Sequence, residues 1–85
     1  MMHWSEDKNT ILKETRQISF ERIELAIANN LLRVTHGEDL NYPHQYRFYI
    51  EIDSYIWVVP AVRTWDDYFL KTAYPSRRAQ KKYNS

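Results

Sequence analysis

Gln45-Tyr-Arg-Phe-Tyr-Ile-Glu-Ile-Asp-Ser-Tyr-Ile-Trp-Val-Val-Pro-Ala-Val62 decides the fold. Successive side chains of a strand point to opposite faces, so Tyr46, Phe48, Ile50 and Ile52 share one side and Arg47, Tyr49 and Glu51 the other. Asp53-Ser54 follows as a turn, weaker than Asp-Gly because serine disfavours positive φ. A two-residue loop there sets Ile50 opposite Trp57 and Phe48 opposite Val59, gathering aromatic and aliphatic groups on one side. Tyr55 to Val62 is apolar on both faces, as a central strand is. Pro60 has no N–H to give to a ladder, which predicts a bulge or a strand end at that point.

Before this hairpin, Leu31 to His36 reads as a short strand and Gly37 to Pro43 as a polar loop; after it, Tyr68 to Tyr74 reads as the last strand. The N-terminal part is helical. Ser5 caps a polar surface helix over about residues 6–16, with Glu6 and Asp7 at its start and Lys13 and Arg16 at its end. Ser19 caps a second, in which Phe20, Ile23, Ala26 and Ile27 recur at helical spacing, Ile18 closes over Ile23, and Asn29-Asn30 ends the run. Two helices followed by four strands joined by short connections predict a single α+β domain over residues 1–85. Both helices pack on one face of a four-stranded antiparallel sheet, and a short basic helix or tail starts at Ser76.

The 85 residues include no cysteine, so neither a disulfide framework nor a thiolate metal site exists. A single glycine, Gly37, rules out a phosphate-cradling P-loop or a dinucleotide fingerprint. With no apolar run of signal-peptide or membrane-span length, a cytoplasmic protein without membrane contact is expected. The charge is unevenly placed. Four of the 12 basic residues, Arg77, Arg78, Lys81 and Lys82, lie together, and no acid follows Asp67. Without those four, 8 basic residues face 11 acidic ones, so attraction for a polyanion is local to this end.

The open face of the sheet then carries Arg47, Tyr49 and Glu51, with Lys71 on the last strand and Arg77, Arg78 and Tyr83 beyond it. Cutting RNA without a metal requires deprotonation of a ribose 2′-hydroxyl, stabilisation of the charged phosphorane and protonation of the leaving 5′-oxygen. Lys71, Arg77 and Arg78 suit the phosphate, Arg47 assists, and Tyr83 or His44 serves proton transfer. The plain alternative is that Lys71 and Arg77 pair with Glu51 or with Asp66 and Asp67, the tail being a solvated charge run. Tyr42, Tyr49 and Tyr83 are the candidates for contact with a base, whereas Trp4, Tyr55 and Trp57 read as core. His3, His36 and His44 are scattered; His36 with Glu38 and Asp39 comes nearest to ligand spacing without reaching it, so no metal or other cofactor is expected.

Trp4-Ser-Glu-Asp-Lys-Asn9, Ile18-Ser-Phe-Glu21 and the terminal Pro75-Ser-Arg-Arg-Ala79 followed by Tyr83 together resemble the BrnT toxins of bacterial type II toxin–antitoxin systems. Those commonly begin Trp-Asp-x-x-Lys-x-x-x-Asn, open a helix with Ser-Phe-Glu-Glu and end Ser-Ala-Arg-Lys-Ala-Thr. This chain has Gln17-Ile18 where that family usually has a glycine, and Pro75-Ser76 in place of its Ser-Ala. The resemblance implies a RelE-like fold and a ribonuclease that arrests translation on free or ribosome-bound mRNA. It also implies a cognate antitoxin, often of ribbon-helix-helix type, with operator DNA bound only through the toxin–antitoxin complex. Arg77, Arg78 and Ala79 correspond to the terminal basic motif, and Lys8 and Asn9 to the N-terminal one with altered spacing. The expectation is therefore a metal-free endoribonuclease toxin. Its rivals are a non-catalytic nucleic-acid- or protein-binding module and a degenerate toxin that keeps only antitoxin binding.

Overall fold

Polar side chains open the helices of this α+β fold, and one tight turn makes its central hairpin. The computed structural model describes residues 2–37 and 44–84. In chain order it holds β1 (His3–Trp4), α1 (Glu6–Arg16), α2 (Phe20–Asn29), β2 (Leu31–His36), β3 (Gln45–Ile52), β4 (Tyr55–Arg63), β5 (Tyr68–Leu70), β6 (Tyr74–Pro75) and α3 (Arg77–Asn84). A helix leaves its first N–H groups without intrahelical partners. Ser5 Oγ accepts one from Lys8 at 3.3 Å, and Ser19 Oγ one from Arg22 at 3.2 Å.

The hairpin forms in the expected register, with Phe48 opposite Val59 and Ile50 opposite Trp57. Asp53 and Ser54 both take positive φ, 52° and 66°, so the turn twists with its strands. Phe48, Ile50, Val59 and Ala61 are buried beneath Leu12 of α1 and Phe20, Ile23 and Ile27 of α2, which form one core with Leu70. Asn9 is fully buried between the helices. Its carbonyl accepts the Phe20 N–H and its amide donates to Glu21, each at 2.8 Å, pinning α1 to the start of α2. Replacing such a doubly bonded amide strands a buried donor, a loss of about 1–3 kcal/mol.

The expectation of four antiparallel strands needs correction, because the sheet is mixed. Its order is β1-β5-β4-β3-β2, with β6 pairing to β4, and β1 runs parallel to β5. Two residues are too short for a periodic signal; β1 is held by Trp4, whose ring stacks on Phe20 at 5.6 Å. The expected last strand is also split. Leu70 lies opposite Ala61 but Tyr74 opposite Val58, so the edge strand uses one residue more than β4 over this interval. The irregularity faces Pro60, whose carbonyl accepts the Lys71 N–H at 2.9 Å and which has no N–H to return. Among the described residues no helix is long and apolar enough to cross a membrane.

Candidate functional site

The sheet face turned away from α1 and α2 presents Arg47 and Tyr49 from β3. The β2–β3 register sets Thr35 opposite Arg47 and Arg33 opposite Tyr49. On the other side Val58 pairs with Tyr49, and Tyr74 with Val58. Across this face lies α3. The Ser76 N–H extends the ladder to the Ile56 carbonyl at 3.0 Å, while Ser76 Oγ caps the helix by accepting the Ala79 N–H at 3.1 Å. Gln80 then acts as a surrogate strand neighbour: its Oε1 accepts the Ile56 N–H at 2.8 Å and its Nε2 donates to the Ser54 carbonyl at 3.4 Å. Ala79, reduced to a methyl, lets the helix approach Ile56 and Val58, and the three are buried together.

Between α3 and the strands is a cleft of about 390 Å³, lined by Arg33, Arg47, Arg78 and Lys82 and by Tyr49, Tyr74 and Tyr83, with no carboxylate among the described lining residues. The Tyr83 ring sits 6.0 Å from Tyr49 and 5.7 Å from Lys82 Nζ. Its hydroxyl is shielded from water and has no hydrogen-bond partner among the described residues. Such an atom costs about 1–3 kcal/mol, and its donor and acceptor capacity remain for a bound molecule. The helix electrostatics add to this. The first turns of α1 and α2 carry acids, which suit the positive end of the dipole, whereas α3 has no acid there and begins with Arg77 and Arg78. Cations at that end are unfavourable by about 0.3–1 kcal/mol each, and they make the junction a place where an anion is stabilised.

Of the residues singled out from sequence, Arg47, Arg78 and Tyr83 come together in the cleft. Three do not join them. Arg77 lines a separate groove with Arg16 and Arg22, because consecutive residues of a helix diverge around its axis. Lys71 is exposed in the irregular stretch opposite Pro60, and His44 is an exposed turn residue just before β3; neither lines either depression. The alternative pairing of Lys71 and Arg77 with Glu51, Asp66 or Asp67 does not form among the described residues; Asp66 lies 3.7 Å from His3, and Arg22 pairs with Asp53 at 2.8 Å. Arg33 and Lys82 were missed as cleft residues. Strand parity could have placed Arg33, but the β2–β3 register shifts between Leu31 and Arg33 and hides it.

Asn9, half of the N-terminal motif, serves packing, and Trp4 is likewise a core contact. Tyr49 lies in the cleft; Tyr42, Glu38 and Asp39 fall outside the described residues. His36 stacks on Tyr46 at 4.0 Å, and among the described residues no three His, Asp or Glu side chains are grouped to hold a metal ion. The chain matches no protein-family model, no curated protein and no solved structure.

Proposed function

We propose that this protein is the toxin of a type II toxin–antitoxin pair, a RelE-like endoribonuclease that arrests translation by cutting RNA in the cleft of Arg47, Arg78 and Tyr83. The observation that carries the reading is the lining of that cleft, where Arg33, Arg47, Arg78 and Lys82 surround a shielded hydroxyl with no hydrogen-bond partner among the described residues. The resemblance to BrnT toxins and the two helices preceding strands β2 to β6 support it further.

In the reaction the ribose 2′-oxygen attacks the adjacent phosphorus and the bond to the 5′-oxygen breaks. The products are a 2′,3′-cyclic phosphate and a 5′-hydroxyl, and in sum a proton passes from the 2′-oxygen to the 5′-oxygen. Arg47 and Arg78 hold the non-bridging oxygens, whose charge grows in the phosphorane; a forked guanidinium fits two of them at once. Lys82 adds positive potential. Tyr83 gives its proton to the leaving oxygen and regains one when product release admits water to the hydroxyl, a role worth about 10²–10⁴-fold in rate. The 2′-hydroxyl proton leaves to water in the open cleft. Guanidinium thus takes the place that a metal ion has in other nucleases. A cognate antitoxin of ribbon-helix-helix type would cover the same cations with acidic residues, so antitoxin and RNA compete, and operator DNA is bound only by the complex. The setting is the cytoplasm.

Expression in a bacterial host tests the reading against a non-catalytic binding module. Wild-type protein is expected to arrest growth, and Arg78→Gln, exposed and outside the core, to be tolerated with an unchanged unfolding temperature. A host that tolerates the wild type, or a folded Arg78→Gln that still arrests growth, would overturn the assignment.

A further inference from the structure

The groove holding Arg77 has a volume of about 590 Å³ and lies beside the α1–α2 junction and the start of β4. Its cations are Arg16, Arg22 and Arg77, against the single carboxylate of Asp53. Arg16 donates to the Ala73 carbonyl at 2.6 Å and Arg22 pairs with Asp53 at 2.8 Å. Arg77 makes no hydrogen bond or ion pair among the described residues, although it adjoins Arg78 of the cleft in sequence. Tyr55 and Trp57, two apart on β4 and half-buried, share the same face and line the groove with ring surface. An excess of guanidinium beside two aromatic rings is the chemistry that takes a phosphate and a base together.

We propose that this groove binds a nucleotide flanking the scissile phosphate, with its base against Tyr55 and Trp57 and its phosphate at Arg77. The inference rests on the ribonuclease reading and deepens it. Adjacent arginines then divide the work: Arg78 serves the phosphate that is cut, and Arg77 holds the strand on the other side of the β6–α3 junction. An acidic peptide would satisfy the cations but would leave the paired rings without a purpose.

The test is equilibrium binding of a fluorescent RNA oligonucleotide, 2′-O-methylated throughout so that it cannot be cut, to wild type, Arg77→Gln, Arg78→Gln and Tyr55→Leu. Arg77 is exposed, so its replacement spares the core, and thermal unfolding checks the Tyr55 variant. Arg77→Gln and Tyr55→Leu are each expected to weaken binding about tenfold, with a shallower salt dependence for the arginine variant. If Arg78→Gln weakens binding while Arg77→Gln and folded Tyr55→Leu leave it unchanged, the groove assignment falls and the cleft reading stands. An oligoglutamate peptide that binds through Arg77, with RNA affinity indifferent to that residue, overturns it in the same way. If wild type does not bind the RNA, or Arg78→Gln binds it equally well, the cleft reading falls and this inference with it.

Discussion

Among the described residues Tyr83 leaves the fold least self-sufficient: its hydroxyl is closed off from water and has no hydrogen-bond partner there. Stability and activity should therefore move in opposite directions there. Tyr83→Phe is predicted to raise the unfolding free energy by about 1 kcal/mol, since an unsatisfied polar atom is removed, and to slow RNA cleavage by about 10²–10⁴-fold. Paired urea unfolding and cleavage assays check both; a Phe variant that cuts at the wild-type rate removes Tyr83 from the chemistry. Asn9 and Glu21 show the opposite arrangement, in which every group is satisfied. The Asn9 amide bond is the main cause that holds the Glu21 carboxyl below its ordinary value, with the Glu21 backbone N–H helping and Lys13 adding less. A carboxylate depressed in the folded state contributes stability above its unfolded value of about 4.3 and loses it as pH falls through the folded one. Glu21→Gln is thus expected to flatten the acid side of the stability profile, measured by urea unfolding across that range. An unchanged acid limb would show that the Asn9 bond does not couple to folding.

At the scale of elements, the hairpin was legible because its alternation carries the register through the turn, leaving only the turn chemistry in doubt. That chemistry is imperfect in a measurable way. Ser54 holds φ at 66° where glycine would pay no Cβ penalty, so Ser54→Gly should stabilise the protein by roughly 0.5–1 kcal/mol in urea unfolding. A neutral or destabilising result would mean that the turn relaxes in solution. Gln17, at φ 53°, ends α1 in the same left-handed region, again without the freedom that glycine has there. Other elements were not legible. The parallel strand β1 is two residues long and depends on Trp4 meeting Phe20, a contact between separate elements. Pro60 did announce its irregularity, since a missing N–H is a property of the residue itself. The docking of α3 through the Gln80 side chain had no signal, because nothing in a glutamine reveals that it will replace a strand.

For the whole molecule, the uneven charge was visible in composition, but its division between two sides of the sheet was not. Arg77 and Arg78 are neighbours in sequence, and only the phase of α3 against β4 sends one to the groove and the other to the cleft. The candidate site was legible to the same extent: Arg47 and Tyr83 followed from strand parity and the basic end, whereas Lys71 and His44 were displaced by an irregular strand and an exposed turn. The activity proposed for this cleft is the breaking of RNA. The most direct measurement is sequencing of 5′-hydroxyl RNA ends in a cell-free translation reaction, which holds free and ribosome-bound mRNA together, after addition of wild type, Arg78→Gln or Tyr83→Phe. New 5′-hydroxyl ends with the wild type, lost or strongly reduced with both folded variants, are the predicted result. Messenger RNA left intact by the wild type, or cut equally by the variants, would contradict it.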